Sequence, residues 1–315
     1  MSNTESSNRG LSRRQFMQAA LAGGAASLLT GRMAFALEEA ASAPARTPVW
    51  IFHGQDKSAL MKACMKTIAE NGGLGDGARK LTLKVNGAWI RTPAQGANTH
   101  PELVDAFLKG CKDQGIAEVV LPEHACAKAT ESFVKSGLLD ATKANGARMI
   151  DLQREKSLFK DVELPGGQNL KSARVAADFL ETDVLVNMPV AKHHSGASMT
   201  CALKNWMGAV EDRNFWHRNN LHQCIADIGT LLRPRWTLVD ATRIMLARGP
   251  QGPTDEMNRA DLLILSRDQV AADAYTASLF PEDIQERIHY LRIAREMKLG
   301  AAEMSQLDVR KIEVA

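Results

Sequence analysis

Seven runs of strand length, nearly unbroken in apolar residues, recur along the chain: PVWIF (48–52), LTLKV (81–85), AEVVL (117–121), ARMIDL (147–152), DVLVNM (183–188), WTLVD (236–240) and DLLIL (261–265). Continuous apolar runs, rather than alternating ones, are expected where both faces of a sheet are covered. Helical periodicity lies between and after them. SALMKACMKTIAE (58–70) sets Leu60, Cys64 and Ile68 four apart, and DIQERIHYLRIAREMKLG (283–300) puts Ile284, Ile288 and Leu291 on one face and ends at Gly300. THPELVDAFLKG (99–110) has Thr99, then Glu102 three residues on, with Pro101 in the first turn, which predicts a capping-box start. Alternating strands and helices predict an α/β fold: a largely parallel sheet flanked by helices, with length enough for two lobes around a cleft. A single α/β domain is expected over 48–315.

The N-terminal 36 residues read differently. LSRRQFMQAALAGGAASLLTGRMAFA has paired arginines, Arg13 and Arg14, before an Ala/Gly/Leu stretch that closes on a small-x-small pattern at Ala34–Ala36. This predicts a twin-arginine export signal over 1–36, a linker over 37–47, and a periplasmic or otherwise exported protein with the twin-arginine translocase as a partner. The signal carries Arg9, Arg13, Arg14 and Arg32 against Glu5, so it accounts for the whole formal charge of +3. The remainder is neutral and lacks the basic footprint of a nucleic-acid binder. No later run has the length of a membrane span, so no stable span is expected once the signal is cleaved. Cys64, Cys111, Cys126, Cys201 and Cys224 stand far apart without a C-x-x-C, which argues against an iron–sulfur cluster held by cysteines.

In open α/β sheets ligands bind beyond the carboxyl ends of the strands. LTLKV carries Lys84 and leads to Asn86; AEVVL leads to Glu123 and His124; VLVNM leads to Lys192, His193 and His194. WTLV ends at Asp240 with Arg243 close by, and LLIL at Ser266 and Asp268. Residues 195–205 continue with Ser195, Gly196, Ser198 and Thr200, then a helix expected to carry Lys204 and Asn205, with His217 further on. Free amides at a helix start, with hydroxyls and lysines nearby, suit a small anionic ligand. Ser198 or Thr200 serve equally as simple helix caps, and Asp268 as the cap of the next helix. Adjacent His193 and His194 point opposite ways in extended chain, so only one faces the crevice. His194 and His217, with His124, Asp240 or Asp273, contain the donor types of a divalent metal site, although their spacing matches no zinc signature. Asp273 reads by default as a solvent-facing helix residue.

LKVNG, THPELVDAF, DVLVNMPVAKHH, ALKNWMG, DRNFWH, VDATRIMLARGPQG and LSRDQVAADA occur in an order that resembles the domain-of-unknown-function family 362, over roughly Val49 to Gly300. The resemblance assigns the family positions to Lys84, Asn86, Lys192, His194, Lys204, Asn205, Gly208, His217, Asp240, Asp268 and Asp273. Val85 stands where the family usually has proline. Many members carry ferredoxin-like cysteine motifs, which this chain lacks. The family is also distantly similar to the nickel-dependent lactate racemase group, whose sites use lysines and histidines around a metal-bearing cofactor.

Two function classes follow. In an enzyme acting on a small anion, Lys84, Asn86, Lys204 and Asn205 hold the substrate, while Lys192, His194 and His217 take catalytic roles. In a non-catalytic periplasmic binding or accessory protein, the same cleft holds a metal or anion without turnover; a redox-associated role like that of the cluster-bearing relatives is the remaining alternative.

Overall fold

The computed structural model describes residues 45–252 and 257–315. Residues 1–36, expected to be an export signal, and 37–44 of the expected linker lie outside the described residues, as does the end of the RGPQGP loop. All seven apolar runs form strands: β1 (Thr47–His53), β2 (Lys80–Val85), β3 (Glu118–Glu123), β4 (Arg148–Asp151), β7 (Val184–Met188), β10 (Trp236–Met245) and β12 (Leu262–Ser266). Between and after these come β5 (Phe159–Glu163), β6 (Ser172–Ala176), β8 (Val190–His194), β9 (Ser198–Thr200), β11 (Met257–Asn258) and β13 (Leu307–Glu313). The main sheet runs β13-β1-β12-β10-β7-β2-β3-β4. It is parallel from β10 through β7, β2 and β3 to β4, and antiparallel where β12 meets β10 and β1. The protein is therefore mixed α/β with a large, mostly parallel sheet, and Arg46–Ala315 form one unit built on it.

Strand alternation explains the unbroken apolar runs. On β1, Val49 and Ile51 join one hydrophobic cluster while Trp50 and Phe52 join the cluster on the opposite face. The second face is covered by α1 (Lys57–Glu70) and α2 (Pro101–Asp113), which bury Leu60, Cys64 and Ile68, and Leu103, Phe107 and Cys111. Further on lie α3 (Ala129–Lys135), α4 (Leu138–Ala144), α5 (Ala202–Asn205), α6 (Arg213–Arg218), α7 (Leu221–Ile228) and α8 (Gln269–Ala277). Leu203, Trp216, Ile225 and Val270 from the last four pack into the first face. On β2, Leu81, Leu83 and Val85 fill the α1/α2 side. Lys84 is thereby directed to the face that carries α5. Among the described residues no helix is long and apolar enough to cross a membrane.

Four local expectations are corrected. Helix α2 is capped by His100, whose Nδ1 accepts the Glu102 amide at 3.3 Å, and not by Thr99. The Thr99 hydroxyl accepts from Asn86 N–H and donates to the Met188 carbonyl, tying β2 to β7. The single helix expected over 283–300 is two, α9 (Glu282–Gln285) and α10 (His289–Glu296). Ile288 and Tyr290 are both buried, and positions two apart face opposite sides of one continuous helix. Ser198 and Thr200 cap nothing, since both belong to β9. Asp273 is wholly buried rather than solvent-facing.

Candidate functional site

A cavity of about 410 Å³ opens beyond the carboxyl ends of β2 and β3. Small-molecule sites of this size are typical. Lys84 and Asn86 enter from β2, Glu123 closes β3, and His124 and Cys126 follow it; Lys192 and His194 come from β8, and Thr200 from β9. Helix α5 contributes Lys204 and Asn205, the turn after it Met207 and Gly208, and α6 Arg213 and His217. The fold thus brings together Lys84, Asn86, Lys192, His194, Lys204, Asn205 and His217. Asp240 and Asp273 are not with them.

The strand geometry explains the lysine–x–histidine spacing. Pro189 separates β7 from β8, and β9 returns antiparallel so that Thr200 pairs with Lys192 and Ser198 with His194. Lys192 and His194, two apart, share the cavity face. His193 points away, and its Nδ1 accepts the Gly249 amide at 3.0 Å.

Three buried lysines share the cavity with one buried carboxylate. Lys84 Nζ sits 3.0 Å from Glu123 Oε2, and both side chains are at most 2% exposed. The same carboxylate oxygen accepts the Gly87 amide at 2.8 Å. A Cβ on Gly208 would collide with Glu123 Oε1 and stand 2.7 Å from Lys84 Nζ, so this turn admits only glycine beside the ion pair. Lys192 Nζ donates to Asn86 Oδ1 at 3.1 Å and to the Ala97 carbonyl. The polar contact of Lys204 Nζ is the Met207 thioether, at 3.3 Å. Burial, reinforced by neighbouring cations including Lys204, pushes the Lys192 ammonium down to about 7. Burial and then Arg213 bring Lys204 to about 8. Burial also lowers Lys84, against the opposing pull of Glu123. Charged groups so desolvated are costly unless a counter-charge arrives.

An amide chain holds these groups in register. Asn86 Nδ2 donates to Asn205 Oδ1 at 3.1 Å, Asn205 Nδ2 to Asn187 Oδ1 at 2.9 Å, and Asn187 Nδ2 to the Ala202 carbonyl at 2.9 Å. Asn86 and Asn205 therefore position lysines from β2, β8 and α5. Arg213 donates to the carbonyls of His124 and Ala125, and to Cys126 Sγ at 3.1 Å, clamping α6 on the loop after β3.

Hydrogen-bond partners assign the histidine tautomers. His194 Nδ1 accepts from the amides of Gly196 (3.0 Å) and Ala197 (3.2 Å), so its proton sits on Nε2. Burial, then Lys204 and Lys192, push its pKa down to about 2. The ring expected as an acid/base group or metal ligand is therefore held as a neutral imidazole with its N–H on Nε2. His124 is the reverse: Nδ1–H donates to the Val210 carbonyl at 2.8 Å, leaving a lone pair on Nε2, and burial lowers its pKa. His217 lies exposed at the rim, its pKa lowered by burial and Lys204.

The proposed metal set is not assembled. Asp240 accepts from His100 N (2.8 Å), Thr242 N (3.1 Å) and the Thr242 hydroxyl (2.7 Å). Asp273 accepts the Ala202 amide at 2.5 Å and the Leu203 amide at 3.0 Å. The free amides expected at the α5 start are thus filled from within the protein. Among the described residues no group of three His, Cys, Asp or Glu is placed to hold a metal ion. Among the described residues the cavity holds three lysines and one carboxylate, itself paired with a lysine, a lining that does not fit a divalent cation.

Glu123 and His124 stood at a recognised strand end, yet their pairing with Lys84 and Val210 could not be read from it. Arg213 stood inside the DRNFWH motif without an assigned role, and Cys126 gave no sequence signal beyond residue type.

Fold and site together define an α/β protein with a lysine-lined crevice at the ends of parallel strands. The chain belongs to the family described as Domain of unknown function (DUF362), whose model matches residues 81–278. It is 21% identical over 223 residues to the thylakoid-associated protein sll1697 of Synechocystis sp., covering 67% of each chain. Among solved structures, the lactate racemase apoprotein from Thermoanaerobacterium thermosaccharolyticum superposes with a TM-score of 0.45 at 13% identity, over 73% of this chain and 56% of that one. A protein from Thermotoga maritima gives 0.46 at 11% identity, over 78% and 60%. This chain therefore spans less than two thirds of either of those structures.

Proposed function

We propose that this protein is an exported enzyme acting on a small anionic substrate held by Lys204 and Arg213 beside Lys192. The observation that carries the reading is the charge imbalance in the cavity: among the described residues Lys84 is matched by Glu123, while Lys192 and Lys204 are buried with no carboxylate partner. An anion supplies the missing counter-charge. The histidines supply a complementary pair for proton chemistry, with His124 Nε2 as acceptor and His194 Nε2–H as a donor to oxygen that gains negative charge. His217 stands at the rim, where it exchanges protons with solvent.

A thermal-shift and calorimetric panel of phosphate, sulfate, acetate, pyruvate and citrate tests the reading. At least one anion is expected to stabilise the protein, and Lys204→Ala is expected to weaken its binding about 30-fold or more, the effect of truncating one side of a buried charge pair (about 2–5 kcal/mol). Binding that is equally strong in Lys204→Ala sinks the assignment. Export rests on Arg13 and Arg14 ahead of the Ala/Gly/Leu stretch. Arg13→Lys combined with Arg14→Lys is expected to keep the protein in the cytoplasm; undiminished delivery to the periplasm contradicts export by that route.

A further inference from the structure

We infer that Lys192 is an amine nucleophile, forming an imine with a small anion that carries an aldehyde or ketone carbonyl. This deepens the reading of the cavity as an anion site and rests on it. The three cavity lysines are not equivalent. Lys84 is held as an ammonium by Glu123. Among the described residues the polar contact of Lys204 is a thioether, which leaves its charge for the ligand. Lys192 donates to two neutral acceptors, Asn86 Oδ1 and the Ala97 carbonyl. Those two bonds leave one direction at Nζ without an acceptor among the described residues, the direction in which a neutral amine carries its lone pair. Asn86 is itself fixed, through its backbone amide to Thr99 and its side chain to Asn205.

The neighbouring strand adds a second, independent feature. Thr200 pairs directly with Lys192 across β8 and β9, so both side chains stand on one face of the sheet. Thr200 lines the cavity, the residue is 3% exposed, and its buried hydroxyl has no hydrogen-bond partner among the described residues. A ligand oxygen that reaches it would satisfy this hydroxyl. A carbonyl oxygen accepts from it while Lys192 meets the carbonyl carbon. Lys204 and Arg213 then hold the anionic end of the same molecule. A desolvated lysine beside another cation is the usual form of an amine nucleophile, and the lowered pKa of Lys192 agrees with that role.

The step balances. The Lys192 nitrogen attacks the carbonyl carbon, forming the C–N bond. Both amine hydrogens leave with the carbonyl oxygen as water, and the C=N bond remains. No oxidant, reductant or further reactant is needed.

Trapping with sodium borohydride tests this on the full chain, using glyoxylate, pyruvate and glycolaldehyde phosphate as probes and acetone as the uncharged control. One adduct per chain is expected, mapped by peptide mass spectrometry to Lys192, formed with a charged probe and not with acetone. Trapping with glycolaldehyde phosphate alone would assign a phosphate ligand, and with glyoxylate or pyruvate a carboxylate. Lys192→Arg, checked for folding by circular dichroism, should abolish the adduct. An adduct on Lys204, one that persists in Lys192→Arg, or none with any charged probe overturns the inference. If a probe stabilises the protein without being trapped, the anion site stands and the imine falls; if none binds, both fall.

Discussion

Replacing Glu123 with alanine is expected to lower the free energy of unfolding by about 3–5 kcal/mol, because it strands a buried ammonium. Lys84 is 1% exposed and its carboxylate partner is Glu123, 3.0 Å away. The same change orphans the Gly87 amide and opens the space against which Gly208 packs. Urea unfolding followed by circular dichroism measures the loss. The double variant Glu123→Ala, Lys84→Met is expected to recover much of it, since removing both charges leaves no buried ion uncompensated. A single-variant loss under about 1 kcal/mol, the range of surface ion pairs, would show that the pair is solvated in solution.

Asp273→Ala is expected to cost about 2–4 kcal/mol and to weaken anion binding as well. Its carboxylate accepts the first two amides of α5, and both amides become unsatisfied buried donors when it is removed. Helix α5 is only one turn, and it carries Lys204 and Asn205 into the cavity. Loosening its start therefore displaces a lysine one to two residues away. Asp268→Ala is the control: Asp268 caps α8 through the Val270 and Ala271 amides and also holds Ala301 N–H, but lines no cavity wall. It should lower stability without changing anion affinity. Equal effects of the two substitutions on binding would remove the link between Asp273 and the site.

The sheet was legible because both of its faces are covered. Strands such as β1 send Trp50 and Phe52 one way and Val49 and Ile51 the other, so nothing interrupts the apolar run. The hairpin of β8 and β9 was hidden for the opposite reason. VAKHH buries a lysine in place of an apolar residue, and that substitution is what forms the site. Strand β13 escaped because LDVRKIE pairs only at the sheet edge, where charged side chains remain exposed. In the site, strand-end position pointed to Lys84 and Lys192, and the neighbouring motif to Lys204 and Asn205. Roles did not follow from position. Asp240 and Asp273 are the residue types a metal needs, yet backbone amides consume them. His194 and His124 differ in role because one ring faces amides and the other a carbonyl, which only the folded chain decides.

On the proposed reading, buried and under-compensated lysines await an anion, and proton linkage reports its arrival. Lys192 near 7 and Lys204 near 8 are both partly deprotonated at pH 7.5 in the empty protein. A bound anion favours their charged forms, so their pKa values rise and binding draws protons from solution. Titrating sulfate, which does not itself ionise in this range, calorimetrically at pH 7.5 in two buffers of different ionisation enthalpy measures this uptake. An uptake of up to about one proton per site is expected, with an affinity that falls as pH rises from 7 towards 9. Sulfate binding with no proton uptake and no loss of affinity over that range would contradict the anion-site reading.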